Sequence, residues 1–462
     1  MVNRIDPDVH FHLRTGFAPD LAELDRQRRM GRSAYLEEQL HPERIADPEA
    51  ERRLARLPML QLSTREIART ENGDQRALND LTRAFLIRAA HSKRRLAARM
   101  AVFWAQHFYV PAEAAGEHLA DYLRTLERLA LGDFRSLLFA AARHPAMLGY
   151  LDNVSNVKEH PNENYARELL ELHTLGVDGG YTERDVKEAA RALTGWTTHE
   201  RTEGGFYFDP GVHDTGAKRV LGHTFPAGRG LEDGLALLDL LARHPSTARF
   251  VSYKLARYFV SDDPPPELVE RMARTFAEHR GAVRPVLRAL LSAPEFYAAA
   301  GLRLRSPLEF LAAALATSGT RVPGAWTLWE LQNELGQTFM GWRTPDGPPT
   351  EAVGWSGTGG LLARWRVALR LTQEADADPE GAWGLVAHLE ERTPRAATVG
   401  EAVRALARRV LGRLPGPEQL ARLVDYAADG GGADTPWTPI RAGRKRGGLF
   451  ALLIASPEFQ WV

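Results

Sequence analysis

Apolar residues recur at three- and four-residue spacing along most of the chain, the stripe an amphipathic helix buries against a core. Between residues 74 and 109 the stripe runs through Leu78, Leu81, Phe85 and Leu86, then Leu96, Met100, Phe103 and Trp104. Residues 116–131, 133–143, 162–175 and 182–195 carry the same period. Boundaries are marked as well. Asp47-Pro48 sets a capping side chain before a first-turn proline, Thr182 and Asp185 have the spacing of a cap, and Gly132, Gly176 and Gly195 stand where helices stop. Apolar residues also lie three, four, seven and eight positions before Pro145, Pro294 and Pro457, which predicts a recurrent buried helix stopped by proline. The spacing of these copies is too uneven for a solenoid.

One stretch breaks the helical period. Residues 204–225 flank a turn-rich centre with aromatic and β-branched side chains, and predict a small β-hairpin or irregular insertion. The expected fold is mainly α: a large multi-helix globular array, 1–462 forming one unit. Within it, 100–225 is the candidate functional core. Residues 300–462 form a C-terminal helical subregion, with long Gly- and Pro-rich loops at 345–360 and 428–436.

Composition narrows the chemistry. The 462 residues hold 59 Lys+Arg and 59 Asp+Glu, so no net field draws the protein to nucleic acid or an anionic membrane. Cysteine is absent, which removes disulfides, thiolate nucleophiles and Cys-type metal sites. A divalent metal, if one is bound, must sit on His and carboxylates. The first residues lack a basic segment followed by an apolar one, so a cytoplasmic protein is expected as the sequence stands, or a periplasmic or envelope protein if a leader was removed. Lysine is scarce, confined to Lys93, Lys158, Lys187, Lys218, Lys254 and Lys445. Eight of the fifteen histidines and three of these lysines lie between positions 107 and 223.

That stretch holds the candidate chemistry. On a helix, Asn164, Glu168 and Glu171 share a face, where paired carboxylates can hold a cation or act as a general base, or simply meet solvent. His173 falls on the apolar side and is expected to be a structural core histidine. His213 and Asp214 sit on a turn, each able to serve as ligand or acid–base group, although Asp214-Thr215-Gly216 is also ordinary turn chemistry. His107, embedded in aromatics, completes a conceivable metal set of His107, Glu168, Glu171 and His213, or is a packed helix end. Arg441 to Arg446 is a short basic patch that can touch an anion or be a solvated loop. No H-E-x-x-H, Walker, G-x-S-x-G or G-x-G-x-x-G motif occurs.

The run from Asn162 through Val177, with Gly180-Tyr181-Thr182, Asp185-Val186 and Ala190 to Trp196, resembles the signature of the bacterial family termed domain of unknown function 1800. The resemblance extends to Leu13 through Phe17, Phe103-Trp104 with His107-Phe108, Tyr150-Leu151-Asp152-Asn153, His213-Asp214 with Lys218, Ser306 through Glu309, and Ala455 through Gln460. Gln106 stands where the family pattern has Asn. The family has no established reaction; its members are often encoded beside a sulfatase-like family, domain of unknown function 1501, which implies a possible partner.

Two functions of different class follow. The first is a metal-assisted or carboxylate/His acid–base hydrolase for an anionic or envelope-related substrate. Its catalytic groups would be Glu168, Glu171, His213 and Asp214, with Asn164, Arg191 and Lys218 binding substrate. The second is a non-catalytic helical accessory protein partnering the sulfatase-like protein, its motifs forming a buried polar network. Asp152 and Trp196, like His173, are expected to be structural.

Overall fold

The computed structural model describes residues 5–199, 205–318, 324–372 and 396–462. Helices run through all four stretches, and the only strands among the described residues form two short antiparallel ribbons. The mainly α fold is therefore as expected. The long predicted stripe resolves into helices Gly73–His91 and Arg95–His107, and the following patterns into Leu119–Leu129, Phe134–Ala142, Glu163–Glu171 and Glu183–Ala192.

Local chemistry accounts for these boundaries. Thr182 and Asp185 form a reciprocal capping box, each side chain taking a backbone N–H of the other. Asp47 departs from expectation. Its carboxylate accepts from Ser92 Oγ at 2.5 Å and Lys93 N at 3.1 Å, and helix Pro48–Leu54 begins without a side-chain cap. The recurrent proline does more than stop a helix, because it also opens the next. Phe134–Ala142 passes into Pro145–Tyr150, Val283–Leu291 into Pro294–Ala298, and Pro439–Ala455 into Pro457–Gln460. At Pro145 and again at Pro245 the preceding histidine caps the new helix, His144 and His244 each accepting a backbone N–H through Nδ1 at 3.2 Å.

The predicted hairpin is two ribbons. Strands β1 (Trp196–Thr198) and β2 (Phe206–Phe208) pair with Trp196 opposite Phe208, while β3 (Lys218–Val220) and β4 (His223–Phe225) pair with Lys218 opposite Phe225. The irregular part thus starts at Trp196, before residue 204, which itself lies outside the described residues. Trp196 is fully buried, and its ring lies so close to Gly234 that a Cβ there would fall 2.3 Å from it. Asp152 turns the chain in the left-handed region (φ 59°), and Asn153 then donates to the carbonyls of Leu193 and Trp196 at 3.3 and 2.8 Å. Of the C-terminal loops, 428–436 closes on the rest through a bridge between Thr398 and Pro436, and 345–360 contains a single 3-10 turn, Ala352–Gly354. Within 300–462, residues 319–323 and 373–395 lie outside the described residues.

Two large apolar cores result. One gathers Trp104, Phe108, Tyr122, Phe134 and Tyr165. The other gathers Phe310, Leu331, Val367, Val403, Phe450 and Ile454. Helix Gly73–His91 feeds both, with Ala77 and Leu81 in the first and Phe85, Leu86 and Ala89 in the second. Two buried aromatic tips find backbone acceptors, Trp104 Nε1 on Ala130 at 2.9 Å and Tyr165 Oη on Ala142 at 3.0 Å.

Near the junction of the cores, Glu309 opens helix Pro307–Ser318, exchanging hydrogen bonds with Ser306 in a capping-box arrangement. The same carboxylate receives Arg303 in a bidentate pair at 2.8 and 3.1 Å and Arg99 at 2.7 Å, all three side chains buried. Burial raises the Glu309 carboxyl, but Arg303 and Arg99 more than reverse that and hold it at about 2. Arg14, Arg305 and Arg364 are buried within range of the same charge. Removing Glu309 strands these cations. Glu309→Gln is expected to destabilise the protein by about 3–5 kcal/mol, read from urea unfolding midpoints, whereas a loss below about 1 kcal/mol would contradict this role.

Candidate functional site

The residues singled out from the sequence fall into two groups. The first lies at the end of helix Glu163–Glu171. Asn162 caps that helix by accepting from Asn164 N at 2.9 Å, and the Asn164 side chain donates to the Leu151 carbonyl at 3.3 Å. Glu168 and Glu171 are half-buried on neighbouring turns. Burial raises the Glu168 carboxyl above the usual carboxylate range, and the negative charges of Glu171 and Asp346 raise it further. Asp346 comes from the 345–360 loop. Tyr150, pushed upward by burial and by Glu168 and Asp346, donates from Oη to the Arg343 carbonyl at 2.9 Å, holding that loop in place. Tyr181 Oη donates to Glu171 at 3.3 Å.

Lys254, on helix Pro245–Phe259, lies within the charge range of Asp346. Burial and then Arg257 lower its ammonium to about 8, against the opposing pull of Asp346. Its Nζ lies 5.5 Å from the centre of the Phe250 ring and has no hydrogen bond or ion pair among the described residues. Lys254 also bears on two histidines. His107 donates from Nε2 to the His173 carbonyl at 3.1 Å, and the two rings sit 6.4 Å apart. Burial, then Lys254, holds His107 well below its ordinary value and His173 at about 3, so both are neutral imidazoles. His173 is buried against Phe108, 5.4 Å away between ring centres.

The second group pins the ribbons to helix Glu183–Ala192. His213 donates from Nδ1 to the Thr194 carbonyl at 2.7 Å, and its Nε2 lies 3.5 Å from Asp233. Lys218 is wholly buried, reaching Asp233 at 2.7 Å and the carbonyls of Asp214 and Gly216. Asp214 takes Arg191 in a bidentate pair at 2.7 and 3.1 Å, and Arg191 also meets Glu188 at 2.9 Å. Glu188 and Asp185 then accept from Arg219 N and Leu221 N at 2.9 and 2.7 Å. The charges of Arg191 and Lys218, expected to bind substrate, are thus met by carboxylates of the chain itself.

The four residues expected to form a metal set are not assembled. His107 and His213 each point at a backbone carbonyl, and among the described residues no three His, Asp or Glu side chains form a metal-holding group. Glu168 and Glu171 do share one location, where the charge of Asp346 bears on Glu168, and Asp346 in turn bears on Lys254. Neither of these last two was singled out from the sequence. For Lys254 the signal was its rarity, being one of six lysines; Asp346 lies in a Pro/Gly turn and offered none. Asp233, partner of Lys218, was missed because its value depends on a lysine fifteen residues earlier.

The protein is a mainly α-helical array with an acidic cluster on helix Glu163–Glu171 and an internally neutralised ribbon anchor. The chain belongs to the family described as protein of unknown function (DUF1800), which matches it over residues 10–461. No curated protein and no solved structure matches it. Among the described residues no helix is long and apolar enough to cross a membrane.

Two outcomes check this geometry. Asp233→Asn leaves Lys218 buried without its counter-charge and is expected to cost about 3–5 kcal/mol, while Lys218→Met with Asp233→Asn together recovers much of that loss in a double-mutant cycle. Secondly, His10, His107 and His173 are held neutral by burial, at about 3 for His10 and His173, so the unfolded chain binds more protons below about pH 6.5. Stability should fall as pH drops from there toward the folded values, by on the order of 1 kcal/mol per histidine per pH unit. Urea midpoints at pH 7 and 5.5 test this, and equal midpoints would refute it.

Proposed function

We propose that this protein is an acid–base hydrolase whose working groups are Glu168, Glu171, Asp346 and Lys254. The observation that supports it is a carboxyl raised by burial and neighbouring carboxylates, and an unpartnered lysine lowered to about 8, both within the charge field of Asp346. Environments that push an acid up and a base down bring both toward neutral pH, where proton transfer in each direction is efficient. In this reading Glu168 holds a proton and delivers it to a leaving group. Lys254, partly free amine, takes one from water. Burial, then Glu171 and Asp346, raise the Glu168 carboxyl and favour its role as proton donor, and Asn164 at the start of the same helix contacts substrate. His213 and Asp214 anchor the ribbons to the end of helix Glu183–Ala192. A metal-assisted variant would need ligands beyond the His107, Glu168, Glu171 and His213 set. An anionic substrate finds Arg191 and Lys218 already neutralised, which favours a neutral one.

A second reading, a non-catalytic accessory protein for a sulfatase-like partner of domain of unknown function 1501, is favoured by the closed network of Arg191, Asp214, Lys218 and Asp233. Assay against a panel of chromogenic esters, amides and glycosides separates the two. The hydrolase reading expects turnover that Glu168→Gln lowers by about 100-fold or more with an unchanged melting temperature, and a basic pH limb near 8 that Lys254→Met removes. Undiminished turnover in Glu168→Gln would overturn it. Capture of a sulfatase-like partner, undisturbed by Glu168→Gln, from a protein inactive on the whole panel would select the accessory role.

A further inference from the structure

A cavity lies between helices Gly73–His91, Arg95–His107 and Leu119–Leu129 and the 337–340 segment, with Pro348 of the loop that carries Asp346 on its wall. Its volume of 310 Å³ is about twice the roughly 150 Å³ of a dry cavity that takes one benzene. Leu81, Phe85, Val102, Leu123, Phe339 and Met340 give it apolar walls.

The polar groups on its wall define what it can hold. Each charged one already has a partner within the chain: Arg88 meets Glu127 at 2.7 Å, Arg124 donates to the carbonyls of Leu60 and Leu62 at 2.8 and 3.1 Å, and Glu309 is held by Arg99 and Arg303. A charged ligand group would enter without a counter-ion and lose its hydration. Beyond the solvent-exposed Gln61, two neutral groups are unused. The carboxamide of Gln106 and the hydroxyl of Thr338 line the cavity without a hydrogen-bond partner among the described residues. An amide both donates and accepts, so it suits an alcohol, ester or amide.

We infer that this cavity is a binding site for a neutral, hydrophobic small molecule bearing one hydrogen-bonding group, anchored on Gln106. Apolar walls with a few convergent polar groups are the usual composition of a ligand site. The inference stands apart from the acid–base reading, since it concerns different residues and is measured by binding.

Two probes of one skeleton test it: N-phenylnaphthylamine, which is neutral, and anilinonaphthalene sulfonate, which adds a negative charge. The neutral probe is expected to bind saturably at one site, and the sulfonate at least about tenfold more weakly. Val102→Phe or Ala101→Phe, which fill the cavity, should each weaken the neutral probe by about tenfold or more while circular dichroism and the unfolding midpoint stay unchanged. Gln106→Leu should raise the decanol concentration that displaces the probe by about tenfold, and Glu168→Gln should leave probe binding unchanged. Equal affinity for the two probes, or full affinity in a folded Val102→Phe protein, would overturn the proposal. If both filled variants fail to fold, the probe pair and Gln106→Leu decide alone.

Discussion

One buried carboxylate, Glu309, gives the two apolar cores a common electrostatic centre. It faces Arg99 from a helix of the first core and Arg303 from the segment that leads into the second. Around it Arg14 reaches the carbonyls of Val260 and Ala299 at 2.7 and 3.1 Å, Arg305 that of Phe17 at 3.1 Å, and Arg364 that of Arg305 at 2.7 Å. These guanidiniums use their fork of donors to satisfy backbone acceptors from distant parts of the chain. The arrangement makes arginine more than a substitute for lysine here. An ammonium so deeply buried and surrounded by cations would shed its proton, whereas a guanidinium keeps its charge and spreads it over aromatic faces, as Arg99 does between Phe17 and Tyr258.

The same contrast separates the two lysines that matter most. Lys218 is buried with Asp233 and two carbonyls around it, so its charge is structural. Lys254 is recessed beside Phe250 without a hydrogen bond or ion pair among the described residues, and burial lowers its ammonium to about 8. Burial alone does not distinguish a fold-fixing lysine from a reactive one. The presence or absence of a compensating oxygen does.

Much of the scaffold was legible in the sequence because it follows from local rules. The helical stripes, the Thr182–Asp185 cap and the end of helical period near residue 195 depend on residues within a few turns of each other. Placing His173 in the core followed from the same periodicity. What escaped is non-local. Asp47 caps nothing in its own helix because Ser92 and Lys93 offer it better donors. The link between His213 and Asp233, and between Glu168 and Asp346, depends on segments that only tertiary packing brings together. Spacing put Glu168 and Glu171 on one side of a helix, but could not show that Asp346 would bear on Glu168 or that His107 would turn toward a carbonyl.

The Gly73–His91 helix serves both cores with successive turns, Ala77 and Leu81 on one side of the boundary and Phe85, Leu86 and Ala89 on the other. Fraying either core withdraws packing from a helix the other also needs. The two cores therefore meet on one continuous helix, whose successive turns each depend on the packing of a different core.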